Sequence, residues 1–347
     1  VTLGTDQLAV ISATQIKGLQ AAAFANLSTD QLRSLGNSAI AALSTAQTSA
    51  LSAAKLSQLT TSQTAVLGAG SIAALTSDQA KNLTAGQVTA LTSLQVKSLQ
   101  ADNLAKLTTD QIRALTSTAV AVLGTDQLAA LTTIQASKLT SAQVTALSAT
   151  QLAAISTANF ATLTSDGIAA LSTTQAKAMT SDQVKSMSTT QASSLTSSAL
   201  SVMTSSQVSA FSNADLAAIT TQAIQGLTVA GLNALSSAQL TSLTSDQVKA
   251  LGTAQVVGLN TAQIQSLSTA QFNSLGTSQV AALSATQVGV IETADITALT
   301  TAAIATLNTA HLAALSTAQV VALSTAQVAN LGSAQVSALT SAQVGGM

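Results

Sequence analysis

The sequence predicts an all-α fold, a solenoid or superhelix of very short capped helices with one helix in each eight-residue repeat. Three observations carry that expectation. From Leu3 the chain divides into 43 consecutive octads that fill residues 3–346 without an insertion or deletion. With positions labelled a to h from Leu3, position a is Leu, Ile, Met or Phe throughout, and position f is apolar in 41 octads, failing at Thr48 and Thr64. Position b is Ser, Thr, Gly or Asn in 40 octads, failing at Gln20, Gln100 and Glu292, and position e is Gln in 28. The pattern reads L-[ST]-[ST]-x-Q-[VIL]-x-x, and residues 1–347 form one repeat array with no separate domains. Val1 and Thr2 fit the end of a preceding octad and Met347 the start of a following one.

Each element follows from these columns. Apolar a and f alternate at spacings of five and three, averaging 4.0 residues. A straight helix needs about 3.6 and known supercoils use roughly 3.5 or 3.67, so a continuous helix or coiled coil fails. Strands fail too, because period-2 alternation is lacking and the Gln and Ala of d, e and g favour helix. A helix that restarts in every octad explains every column. Ser, Thr, Gly and Asn at b are preferred N-caps. Gln at e, three residues on, completes a capping box, while a and f form the hydrophobic staple around it. The helix then occupies about c to h, under two turns. Helices this short are unstable alone in water, so stability must come from stacking that joins the a and f side chains into one core. Small residues at g and h let successive turns approach.

Charge decorates this scheme. Asp occupies d at Asp6, Asp30, Asp78, Asp102, Asp110, Asp126, Asp166, Asp182 and Asp246, where the helix dipole favours an anion. Five of these acids have a base three residues on, as in Asp30–Arg33 and Asp246–Lys249; such pairs contribute only ~0.2–0.5 kcal/mol each. The octad alone does not set how many repeats close one superhelical turn, or its hand. Neither Gly at b nor Asp at d shows a clear 16- or 24-residue super-period.

Composition narrows the function. The chain is 47% hydrophobic and 7% charged, with four Phe, one His and no Pro, Cys, Trp or Tyr. Ser and Thr number 98, and most serve as helix punctuation. Net charge is −1 and the bases are scattered, so the basic face and aromatic platforms that bind nucleic acid are missing. No run of about 18 apolar residues occurs, so no membrane span is expected. Without Cys there is no disulfide framework and no thiolate metal site. No signal peptide opens the chain, and a start at Val1 suggests a processed product or an excised segment.

Candidate chemical groups mostly obey the repeat phase. His311, Asp215 and Asp295 all sit at e, where a cap substitute explains each. A catalytic His needs partner groups, and a carboxylate pair needs two acids converging in a cleft. No catalytic residue, cofactor-binding residue or metal ligand is therefore assigned, no cofactor is implied and no enzyme is expected. The Gly-Asp-rich nonapeptide of calcium-binding β-rolls is absent. Phe24, Phe160, Phe211 and Phe272, with Met179, Met187 and Met203, fall at a or f and read as core. An ice-binding Thr face is disfavoured because b is committed to capping and c mixes Thr, Ser and Ala. Exposed hydroxyls leave O-linked glycans open. After Lys249 only Glu292 and Asp295 carry charge, and low charge promotes association.

Natural solenoids carry polar capping repeats at their ends, whereas LGTDQLAV and LTSAQVGG are ordinary members. The expected partner is therefore the array itself, through continuation or head-to-tail contact with another copy; contacts that do not close give open filaments. The octads resemble, from Leu3 to Met347, the L-[ST]-[ST]-x-Q-[VIL] arrays of large exported proteobacterial proteins described as adhesin-like or haem-utilisation proteins. That resemblance implies an extracellular, bacterial cell-surface setting; no haem chemistry follows, since His311 stands alone. The expected function is a structural one, as a subunit or repeat segment of a surface filament or adhesin stalk. The alternative is a solenoid scaffold that binds a partner on one face.

Overall fold

A computed structural model describes residues 3–347, so Val1 and Thr2, assigned above to a preceding octad, lie outside the described residues. The fold is the predicted all-α solenoid. It contains 43 helices of four to six residues, from α1 (Thr5–Ala9) to α43 (Ser341–Gly345), and no strand among the described residues.

The octad Leu83–Ala90 shows how each helix begins and ends. Thr84 is extended (φ −72°, ψ 157°), and its hydroxyl accepts the Gln87 N–H at 3.1 Å. The Gln87 side-chain oxygen accepts the Thr84 N–H at 2.8 Å, closing the box. Helix α11 (Ala85–Ala90) then runs to Leu91, which turns out of the helix (φ −62°, ψ 131°) while its N–H still bonds the Val88 carbonyl. No residue among those described has positive φ, so the break needs no glycine. At Gly4, Gly124, Gly252, Gly276 and Gly332 the cap lacks a hydroxyl, and only the Gln half of the box remains. Helices that stop early, such as α15 (Ser117–Val120), fall short of the expected c-to-h span. Their g and h residues instead enter the turn.

The repeat number per turn, open in the sequence, is three. Two compact units, Val1–Leu171 and Ser172–Met347, show the same stacking. In the first, α5 (Asn37–Ala41) packs on α8 (Thr61–Val66), α8 on α11, and α11 on α14 (Thr109–Ala114). In the second, α24 (Thr189–Ser193) packs on α27 (Asn213–Ala218), and α27 on α30 (Ser237–Thr241). Every packed pair is three octads, or 24 residues, apart.

That period corrects the reading that Asp at d has no super-period. In the first unit Asp6, Asp30, Asp78, Asp102 and Asp126 are separated by multiples of 24, leaving Asp110 and Asp166 outside the series. The series skips position 54, an alanine, which hid it. Charge follows a face of the solenoid, whereas the caps follow the octad and fail only where b or e departs from the pattern, as at Gln20, Gly36, Gly68, Gln100 and Glu292.

The core is the a and f columns, as predicted, including all four Phe and Met179, Met187 and Met203. The two columns are covered from opposite sides. In the first turn Leu8, Ile16 and Phe24 at f are fully buried, whereas Leu3 at a is 39% exposed. In the last turn Val336 and Val344 at f are 49% and 53% exposed. Column f is therefore sealed by the turn that follows, and column a needs the turn before. The two polar f residues are accommodated by hydrogen bonds: the Thr48 hydroxyl meets that of Ser71 at 3.1 Å, and the Thr64 hydroxyl donates to the Thr60 carbonyl at 2.9 Å. Close approach at h is clearest at Gly226, where a Cβ would fall on the Ser197 carbonyl.

Candidate functional site

The feature repeated at every turn is a polar seam made by column e. Gln87 again shows the geometry. Its oxygen caps its own helix, while its Nε2 donates to the carbonyls of Leu56 (2.9 Å) and Leu59 (3.0 Å), which lie 31 and 28 residues back. Those carbonyls end the helix of an earlier octad, where the backbone lacks intrahelical partners. One amide therefore satisfies an N-terminal donor of one turn and C-terminal acceptors of the turn before. The same two distances along the chain recur at Gln47, Gln111, Gln135, Gln263, Gln327 and Gln343. Burying an amide is costly unless its groups are paired, and here both ends are. Gln7 and Gln15, in the first two octads, make the local cap.

Substitutions at e show which half matters. Asn103 and Asn159, one methylene shorter, keep the cross-turn bond to Leu75 (2.6 Å) and Leu131 (2.7 Å). Lys55 reaches the Ala25 carbonyl with its ammonium. His311 copies both halves: Nδ1 takes the Asn308 N–H at 3.2 Å and Nε2 lies 2.7 Å from the Leu283 carbonyl, 28 residues back. This geometry assigns the proton to Nε2. The cap role expected for His311 is thus present, together with a cross-turn contact the sequence reading missed.

Of the two acids at e, Asp215 supplies only the local half, whereas Asp295 makes no capping box with Glu292, against the cap role expected for it, and instead accepts a hydrogen bond from Thr269 of the turn before. Asp215 accepts the Ser212 N–H (3.2 Å) and hydroxyl (2.6 Å). A carboxylate has no proton to give the carbonyl behind it. Asp295 is 3% exposed, and its pKa is raised. Burial is the main cause and the charge of Glu292 adds to it, against a hydrogen bond from Thr269. The Asp residues at d stand exposed on the surface. Among the described residues no group of three His, Cys, Asp or Glu side chains could hold a metal ion. No helix among them is long and apolar enough to cross a membrane.

A signal for the cross-turn bond was present in the sequence. A capping box accepts Glu as readily as Gln, yet none of the 43 octads has Glu at e. A buried position facing carbonyl oxygens separates the two, because Gln is neutral and donates while Glu is charged and does not.

The family model of the ALTTAQ repeat matches residues 96–133, 152–189, 208–245, 232–261, 248–285, 288–325 and 320–347, more than half of the chain. The chain belongs to the ALTTAQ repeat family. Its six letters correspond to positions h, a, b, c, d and e, as in Ala314-Leu315-Ser316-Thr317-Ala318-Gln319. The ALTTAQ unit is therefore the staple residue, the cap and the seam glutamine, the parts that build and join a turn. A comparison with curated proteins finds no match. Membership of a repeat family and the stacked architecture fit a structural or scaffold role.

Proposed function

We propose that this ALTTAQ array is a structural, non-enzymatic protein of the bacterial cell exterior, a subunit or repeat segment of a surface filament or adhesin stalk. The observation that carries the reading is the self-complementarity of the seam. Each turn presents amide donors and open a side chains on one edge, and carbonyl acceptors and open f side chains on the other. Leu3 with Gln7 and Gln15 displays the first edge; Val336 and Val344 with the Leu339 carbonyl display the second. Whatever follows in register, a further octad or another copy, meets the same contacts, so turns add without a limit set by their geometry. The extracellular bacterial setting is supported by the resemblance of the octads to exported proteobacterial arrays. The hydroxyls of c stand outside the caps and offer sites for O-linked glycans.

Negative-stain microscopy and sedimentation over a concentration series test the filament, which should lengthen axially as concentration rises. Monodisperse particles of single-chain mass at every concentration would count against it. Immunogold labelling of intact source cells tests the location; label confined to permeabilised cells would refute it. A second reading, a scaffold that holds a partner on one face, is favoured by the Asp series of the first unit. A partner that engages that series should dissociate with rising salt.

A further inference from the structure

One side of the first unit carries most of its charge, in two rows of opposite sign. Helices α1, α4 (Thr29–Ser34), α7 (Ala53–Leu56), α10 (Ser77–Lys81), α13 (Ala101–Leu104) and α16 (Thr125–Ala129) follow one another at the three-octad period. Of these, α1 packs on α4, α7 on α10, α10 on α13 and α13 on α16. Their six octads hold nine of the fifteen charged residues of Val1–Leu171, although the unit contains 21 octads. The Asp series stands at d, where each helix starts. Arg33 and Lys81 at g, with Lys106 at h, stand where a helix ends, in the same octads as Asp30, Asp78 and Asp102. All six of these side chains are exposed. The fourth base, Lys55, is engaged by the Ala25 carbonyl. Residues three or four apart on a helix lie about 5–6 Å from each other, so an acid row and a base row run side by side.

We propose, resting on the scaffold reading of the Asp series, that this strip pairs the array side by side with a second copy of itself, parallel and in register. Acids alone would call for a cationic partner. The base row beside them calls for a partner with both signs at the same spacing, and the chain itself presents one. Symmetry sets the orientation. When two strips face each other about a two-fold axis along the stack, d of one copy lies over g of the other, and each acid row meets a base row. Reversing one copy puts d over d, so acid meets acid along the strip, a juxtaposition that excludes the pairing. Register follows in the same way. Aligned octad on octad, Asp30, Asp78 and Asp102 of each copy oppose Arg33, Lys81 and Lys106 of the other, six acid–base contacts in all; a slip of one turn leaves four. Six helices stacked about 8–10 Å apart, each about 9 Å long, cover roughly 400–500 Å2 per copy. A stable dimer needs about 800 Å2 per partner. Single chains should therefore pair weakly, and salt should weaken them further because every contact is exposed. Stalks rooted on a common surface already point the same way and would pair at high effective concentration.

The chain has no Cys, so a single introduced thiol in the full chain reports the pairing. Ala129→Cys places it at the exposed g position of α16, on the last turn of the strip. A parallel, registered pair brings the two thiols within reach of bis-maleimidoethane; in an antiparallel pair they stand about 45 Å apart, five helix spacings. Ala158→Cys, exposed on α20 (Thr157–Phe160) and off the strip, is the control. Axial growth brings neither thiol near its copy, so the cross-link reads the lateral pair whether or not filaments form. Ala129→Cys should cross-link at least about fivefold more at about 50 mM salt than at about 500 mM, and Ala158→Cys at neither. On the Ala129→Cys background, Arg33→Glu/Lys81→Glu/Lys106→Glu turns the strip wholly acidic and should abolish the cross-link. Adding Asp30→Lys/Asp78→Lys/Asp102→Lys to that same chain exchanges the two rows, restores every opposition and should restore the cross-link, which also shows that the fold tolerates the changes. No cross-link in the Ala129→Cys chain, a cross-link indifferent to salt, or one that survives the triple reversal would overturn the pairing. A chain that binds some other partner through the Asp series without cross-linking would also overturn it, while leaving the scaffold reading in place.

Discussion

Replacing Gln87 by Glu isolates the cross-turn bond with a single atom pair. The introduced carboxylate keeps the shape of the side chain and can still accept the Thr84 N–H, now 2.8 Å from the amide oxygen. It cannot donate to Leu56 or Leu59, whose carbonyls are 2.9 and 3.0 Å from Nε2, and the site is 1% exposed. Two lost bonds account for about 1–3 kcal/mol at ~0.5–1.5 kcal/mol each. An unpaired buried charge facing two carbonyl oxygens brings the expected cost to about 3–5 kcal/mol at neutral pH, the range seen when a buried pair is broken. Gln87→Ala, which leaves no charge, should cost less, about 2 kcal/mol. The pH dependence separates the two variants. Burial and the facing carbonyls raise the carboxyl pKa in the folded state above its unfolded value of about 4.3. Its contribution is therefore most favourable below the unfolded pKa and is lost as pH rises through the folded one. Gln87→Glu should recover towards the parent near pH 4, where the protonated acid can donate to one carbonyl, whereas Gln87→Ala should show no such recovery. Repeat arrays unfold locally, so the readout should be amide exchange at Val88 and Leu91, whose N–H groups bond the Thr84 and Val88 carbonyls, alongside urea denaturation. If Gln87→Glu and the parent differ by less than about 0.5 kcal/mol at both pH values, the cross-turn bond is not a stabilising element.

Two further substitutions test other parts of the scheme. Asp295→Asn should stabilise the second unit by about 0.5–1.5 kcal/mol at neutral pH, because the amide can donate to the Leu267 carbonyl as Asn103 does to Leu75. Since burial raises the Asp295 pKa, the parent is penalised as pH rises through that value. The variant's advantage should shrink below about pH 4; thermal melts showing a constant difference from acid to neutral pH would contradict this. Gly226→Ala places a methyl on the Ser197 carbonyl and should cost about 1–3 kcal/mol of overpacking strain. An unchanged denaturation midpoint would show that the turns can separate there freely.

How legible this was depends on the range of each interaction. The caps, the staple and the helix starts were all readable, because every partner lies within the same eight residues: Thr84 with Gln87, or Leu83 with Val88. Burial of Phe24, Phe160, Phe211 and Phe272 followed from phase alone. His311 as a cap substitute was likewise local. The cross-turn half of the same side chains was missed, even though the exclusion of Glu from e marked it, because its partners lie 28 and 31 residues away. The Asp series on one face was missed for the same reason, since a 24-residue spacing has meaning only once three helices are known to close a turn. By itself the sequence determined that every octad is a short helix, in most copies capped, with two inward side chains, since capping and stapling are short-range. Tertiary structure decided the three-octad turn, because that number depends on how a helix of under two turns and an extended two-residue link fit against the turn beneath them, a packing choice no single octad contains.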